Sequence, residues 1–429
     1  MALSIDEQAK TKPYHAALKA VPPAGTATPV NITLPDTMLS CVIQSSSARM
    51  TLYLFISLAM LTQIALKGSR MLLSLYAIDL GAGPFAIGIL IALYAVFPLL
   101  LALTAGKTAD RVGPKWPLII GSFGLATGLA VPAVFPGLPT LYLSPALIGI
   151  FWIFFHVSAH QLVGSLGDGP ERVRNFGTFS LGAAVAGVAG PLLVGFILDR
   201  VGARQTYATL ALIATIPGII LLLFPRLIPP HRHHAESKSQ QRSVHDLLAN
   251  PDMRRNLLIS GLVLTGIDLY GFYLPILGRS ISLSSTAIGI IVSMPAVAAF
   301  TVRLWMPRLV TRFSEEGVLT GSLALAALSY FAFPMFHEPL ILALLSFMMG
   351  LGLGCGQPLT ITLSYNYSPP GRAGEGLGLR LTVNKFTQIV VPVMFGSLGA
   401  WLGLYPVFWS VAAMLATGSV INARREPSP

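Results

Sequence analysis

Twelve long apolar runs constrain this chain more than any other feature. They fall at about 50–79, 85–105, 116–136, 140–164, 176–198, 205–225, 256–277, 286–305, 317–336, 339–364, 376–398 and 401–421. Crossing ~30 Å of hydrocarbon takes ~20 residues of helix, so each run is long enough to span a bilayer. Inside hydrocarbon the backbone must bond within one helix or around a closed barrel, and continuous runs, as opposed to alternating ones, select helices. Composition agrees: 54% of residues are hydrophobic and 10% charged. That is too little charge to cover a water-soluble surface and too much apolar surface for disorder. The sequence therefore predicts an all-α membrane protein with twelve transmembrane helices, here called spans 1 to 12.

The remaining charge is unbalanced, with 28 Lys+Arg against 17 Asp+Glu and a net +11. In a soluble domain such an excess would suggest nucleic acid. Position explains it instead. With the N-terminus in the cytoplasm, 21 Lys and Arg fall in inner segments and three (Arg200, Arg204, Arg279) in outer ones. By the positive-inside rule both termini are cytoplasmic, and no nucleic-acid partner is expected. Residues 1–49, rich in Pro, Ser, Thr and Ala, read as a mobile cytoplasmic tail without the apolar core of a secretory leader. The longest polar stretch between runs, 226–255, reads as a cytoplasmic linker, and 422–429 as a short cytoplasmic tail. The cluster His231-Arg232-His233-His234 in that linker reads as a solvated loop, and the two cysteines, Cys41 and Cys355, offer no ligand spacing. No metal or cofactor is expected.

The sequence also repeats. At an offset of 201 residues, Ala86-Ile87-Gly88-Ile89 falls on Ala287-Ile288-Gly289-Ile290, and Ala95-Val96 on Ala296-Val297. Gly149 falls on Gly350, Pro191 on Pro392, Gly195 on Gly396 and Gly202 on Gly403, all without a gap. This predicts two pseudo-symmetric six-helix bundles, 50–225 and 256–421. A weaker, inverted match pairs Asp110-Arg111-Val112-Gly113 after span 2 with Asp199-Arg200-Val201-Gly202 after span 5. Parallel halves with nested inverted triplets occur in secondary transporters whose binding site lies near the midplane.

The stretch Gly106-Lys107-Thr108-Ala109-Asp110-Arg111-Val112-Gly113-Pro114-Lys115 resembles the loop signature of the major facilitator superfamily. The resemblance covers about 50–421 and implies two bundles rocking around a central cavity lined by spans 1, 4, 7 and 10. It also implies a cytoplasmic gate at Gly106, Asp110, Arg111 and Gly113. Gly106 would admit a neighbouring helix, Asp110 would accept from a helix N-terminus, and Arg111 would pair with a carboxylate such as Glu375. In the repeat copy Pro307 replaces Gly106 and Thr311 replaces Asp110, so an equivalent second gate is not expected. Gly190, Pro191 and Gly195 of span 5 resemble the Gly-Pro motif of proton-coupled drug antiporters in that superfamily. Val194 stands where the pattern has a glycine, and a purely structural kink competes with the antiporter reading.

Ionisable groups at membrane depth are functional candidates, because burying one costs at least ~2.5–3.5 kcal/mol. Gln63, Lys67 and Arg70 share one face of span 1; Trp152, His156 and His160 share one face of span 4. Asp268 sits mid-span in span 7, where the 201-residue offset places it opposite Lys67. Gln357 in span 10 matches His156. Asn384, Lys385 and Gln388 lie in span 11, and Arg380, one turn from its cytoplasmic end, is expected to snorkel to the surface. Three deep cations against Asp268 alone call for an opposing charge. The expectation is a substrate site at Arg70, Lys67, Gln63, His156, Gln357, Asn384 and Lys385 for a small anionic or carboxylate-bearing solute. Arg70 would be its anchor and Asp268, exchanging a salt bridge with Lys67, the proton carrier. Multidrug efflux is the competing transport reading, and a non-transporting sensor or scaffold the competing class. No enzyme is expected, since nucleophile–base, zinc-protease and phosphate-loop patterns are missing from the sequence. Expected partners are the small-molecule substrate, H⁺ and the bilayer, for a monomer in a bacterial inner membrane.

Overall fold

A computed structural model describes residues 36–166, 170–228, 245–369 and 372–424. Among them, ten helices are long and apolar enough to cross a membrane. They are α1 (Asp36–Asp79), α2 (Pro84–Val112), α3 (Lys115–Val134), α4 (Leu138–Ser165), α5 (Pro170–Leu223), α6 (Pro251–Ser280), α7 (Ser285–Ala332), α8 (Pro339–Asn366), α9 (Ala373–Leu402) and α10 (Leu404–Ala423). α5 has 54 residues and α7 has 48, and each breaks once, at Gly202 and Ser314. The breaks fall where the sequence separates span 5 from span 6 and span 8 from span 9.

One boundary departs from expectation. α1 begins at Asp36 and not near 50, because no Gly or Pro occurs from 36 to 67 to end it. The polar run read as tail is therefore helical from 36 onward. Residues 1–35 and most of the 226–255 linker, including His231, His233 and His234, lie outside the described residues; a single short helix, His245–Ala249, precedes α6.

The 201-residue repeat is written into the backbone. Left-handed φ angles occur at Gly81 (79°) and Ser282 (59°), at Gly113 (78°) and Ser314 (64°), and at Gly202 (82°) and Gly403 (85°), three pairs related by the offset. Gly113, Gly202, Ser314 and Gly403 also share an extended ψ, a region open almost only to glycine. These four corners turn the chain between consecutive spans.

Residues 48–429 cluster as one compact unit. Within it α2 packs on α9, and the first arm of α5 on the first arm of α7. Both contacts depend on glycine at equivalent places. A side chain at Gly88 would begin 2.5 Å from the Pro392 carbonyl oxygen, and one at Gly289 would begin 2.6 Å from that of Pro191. Backbone-to-backbone approach of this kind is how small residues join helices in lipid, where dispersion supplies what the hydrophobic effect cannot. Both contacts lie near the end of the bundle that carries residues 79–84 and 281–286.

Candidate functional site

Away from that tightly packed end, the helices part around a cavity of about 550 Å³. α1 lines it with Gln63, Lys67 and Arg70, α4 with Trp152 and His156, and α6 with Asp268 and Phe272. α8 adds Gln357, and α9 adds Lys385 and Gln388. Six of the seven residues expected at a substrate site thus converge. The exception is Asn384, which is buried and accepts a hydrogen bond from Ser260 at 3.0 Å. Its neighbour Lys385 takes the cavity position because adjacent helical residues point about 100° apart.

The charges pair differently from expectation. Asp268 accepts from Arg70 (Nη1–Oδ1 3.3 Å), not from Lys67. Arg70 lies one turn beyond Lys67 on the same face, and its longer fork reaches across to α6. Its guanidinium also sits 5.5 Å from the centre of the Tyr94 ring, a cation–π contact. Lys67 faces the cavity interior with no ion-pair or hydrogen-bond partner among the described residues. Lys385 donates to neutral Gln388 at 2.9 Å. Arg303 also lines the cavity and lies 3.4 Å from Ser180. Sequence reading counted it among the 21 inner cations because it stands near the end of the 286–305 run; the helix continues through it to the break at Ser314. Lys67, Arg70, Arg303 and Lys385 therefore line the cavity beside one carboxylate, Asp268.

Arg380 does not snorkel. It is 3% exposed and donates to Gln357 Oε1 (2.8 Å) and Thr360 Oγ1 (2.9 Å). Because Gln357 Oε1 accepts there, the Gln357 amide NH₂ is left to donate elsewhere. His156 packs between Trp152 and His160, with ring centres 5.1 and 4.2 Å away.

Two of the expected gate residues, Gly106 and Arg111, do not make the contacts expected of them. Gly106 has open space where a side chain would stand, so no helix approaches it closely. Asp110 is exposed and accepts from the Gln161 side chain at 3.0 Å. Glu375 pairs within its own turn with Arg372 at 2.6 Å, while Arg111 is exposed. Gly113 does have a clear task, the left-handed corner after α2.

At the opposite end the inverted copy caps a helix N-terminus. Asp199, the counterpart of Asp110, accepts from the Ser285 N–H (2.9 Å), the Thr286 N–H (2.7 Å) and Thr286 Oγ1 (2.6 Å) at the start of α7. A carboxylate there meets unsatisfied N–H groups and the positive end of the helix dipole. Beside it Arg279 Nη2 donates to both carboxylate oxygens of Asp79, at 2.7 and 2.8 Å. The Gly-Pro stretch serves the same closure. Gly190 packs against Gly68 and Ile64 of α1, and Pro191 and Gly195 against α7.

The sequence profile of the Major Facilitator Superfamily matches residues 52–276 and 257–429. The chain belongs to the Major Facilitator Superfamily. Curated relatives include a protein named multidrug resistance protein MdtG in Dickeya zeae (strain Ech586). It is 26% identical over 365 residues, covering 82% of this chain and 87% of the relative. The protein of the same name in Klebsiella pneumoniae (strain 342) is 25% identical, covering 79% and 84%. Among solved structures, a mutant of the nucleoside transporter NupG superposes with a TM-score of 0.73 at 15% identity, over 87% of this chain and all but 1% of that one, since 99% is covered. A bacterial homologue of the human lysosomal transporter Spinster, inward-facing and occupied, superposes with a TM-score of 0.72 at 14% identity, over 88% and 98%. The superfamily fold places the cavity of this chain between its helices and makes it a multi-pass membrane transporter, not an enzyme.

Proposed function

We propose that this chain is a secondary active transporter carrying a small amphipathic organic anion, such as an aromatic carboxylate, by alternating access. Twelve spans in two six-helix bundles would rock about the α2–α9 and α5–α7 contacts. The observation that carries the substrate class is the cavity's charge. Its one carboxylate is already paired with Arg70, which leaves Lys67 and Lys385 to meet an incoming anion. Tyr94, Trp152 and Phe272 supply the apolar wall for the rest of the molecule.

The Arg70–Asp268 pair supports a coupling step. Protonation of Asp268 would release Arg70, whose guanidinium fork fits a carboxylate. Loss of that proton to the other side would restore the pair and expel the anion. By the positive-inside reading, the latched end with Asp79, Asp199 and Arg279 faces outward, and both termini are cytoplasmic. The bacterial relatives support an inner-membrane location, and a monomer suffices because one chain encloses the cavity.

Uptake into proteoliposomes across imposed pH gradients tests this reading. Proton-driven flux that persists in Asp268→Asn contradicts the coupling role, and unchanged substrate affinity in Arg70→Ala contradicts the anchor. The relatives' name and the aromatic wall favour a second reading, export of diverse drug-like molecules. It is distinguished by flux of cations as fast as that of anions.

A further inference from the structure

A second groove, of about 480 Å³, runs between α3 and the second arm of α5, away from the transport cavity. Small side chains line it: Ala126, Ala130 and Ala133 on α3, and Ala208 and Ala211 on α5. Its polar members are spent internally, since Thr127 donates to Phe123 O and Thr215 to Ala211 O, at 2.9 and 2.7 Å. Phe123 closes the deep end, its ring packed on Gly218.

Arg204 stands at the mouth. It lies four, seven and eleven residues before Ala208, Ala211 and Thr215, the spacing of a single helix face. Its Nε donates to the carbonyl of Ala133, itself a lining residue, at 2.8 Å. That bond fixes the stem and leaves the two terminal nitrogens of an exposed guanidinium pointing away from it. The other two cations assigned to the outer side are already occupied: Arg279 holds Asp79, and Arg200 stacks 3.4 Å from the centre of the Phe196 ring. The nearest acid in sequence, Asp199, is taken by Ser285 and Thr286. Among the described residues Arg204 pairs with no carboxylate.

Depth fits as well as charge. From Arg204 to Thr215 the helix rises ~16 Å, which is the thickness of one leaflet of a ~30 Å hydrocarbon core. We propose that this groove is a binding site for an anionic glycerophospholipid, with one acyl chain lying between α3 and α5 and the phosphate on Arg204. A guanidinium forks onto phosphate oxygens, and the zwitterionic headgroups offer no net charge for it to meet.

Native mass spectrometry of the full chain, stripped of lipid in detergent and incubated with equal amounts of phosphatidylglycerol and phosphatidylcholine of identical chains, tests the site. The expected result is a preference for phosphatidylglycerol of about fivefold, the worth of one surface cation. Arg204→Gln should erase the preference, and Arg204→Lys should keep it. Ala130→Phe, which fills the groove without touching charge, should reduce adducts of both lipids. Equal binding of the two lipids by the native chain overturns the proposal. So does a preference that survives both Arg204→Gln and Ala130→Phe. Should Arg204→Gln not fold, the Arg204→Lys and Ala130→Phe results decide alone.

Discussion

Asp268 and Arg70 hold each other at 3.3 Å in a cavity otherwise lined by cations. Neutralising the acid therefore has a signed consequence. In Asp268→Asn the guanidinium loses its resident partner, so an anionic solute should bind more tightly while flux loses its dependence on the pH gradient. Binding by isothermal calorimetry and flux in proteoliposomes check the two halves separately. Arg380 invites a different prediction. Replacing it with Met removes the charged donor to Gln357 Oε1 and Thr360 Oγ1, and a hydrogen bond to a charged group contributes ~1.5–3 kcal/mol. The variant should melt at lower temperature and weaken substrate binding through a misaligned Gln357. Most of this site was legible as residues but not as pairings. Helical spacing put Gln63, Lys67 and Arg70 on one face. It could not say whether Lys67 or Arg70 would reach Asp268, because that depends on side-chain length across an inter-helix gap. Arg303 escaped notice because it stands within three residues of the end of its apolar run, where a cation reads as belonging to the cytoplasmic loop.

At the scale of elements, the ungapped 201-residue offset foretold the fold's symmetry, and the backbone repeats it at three pairs of left-handed corners. One corner is imperfect. Ser314 holds φ 64° and ψ 166° where its partner is Gly113, a conformation costing a non-glycine residue ~1–3 kcal/mol. Its hydroxyl accepts from Gly317 N–H at 3.2 Å, and replacing a serine cap by glycine loses only a few tenths of a kcal/mol. Strain relief should win, so Ser314→Gly should raise the melting temperature of the purified protein; a lower one would show that the cap matters more. The loop signature illustrates where sequence reading stops. It marked Asp110 for a helix N-terminus, and its inverted copy, Asp199, makes such a contact at the start of α7. Motifs report which contacts are available, while the conformation decides which are made.

For the whole molecule, the contacts Asp79–Arg279 and Asp199–α7 are those that would part in the alternating access proposed above. Asp79–Arg279 is about one-third exposed, so solvent limits it to ~1 kcal/mol. The Asp199 cap adds about as much again. Removing both, as Asp79→Asn with Asp199→Ala, should shift the equilibrium about thirtyfold toward the state open at that end. Spin labels at the exposed positions Leu80 and Ser280 should then report a longer separation, and an unchanged one would deny these contacts a gating role. The central claim remains the sign of the cavity. It is tested most directly by measuring flux of an aromatic carboxylate and its neutral amide, in the same proteoliposomes, for the native chain and for Lys67→Gln with Lys385→Gln. The account predicts saturable flux of the carboxylate, little of the amide, and loss of the difference in the double variant. Equal transport of acid and amide by the native chain would contradict it.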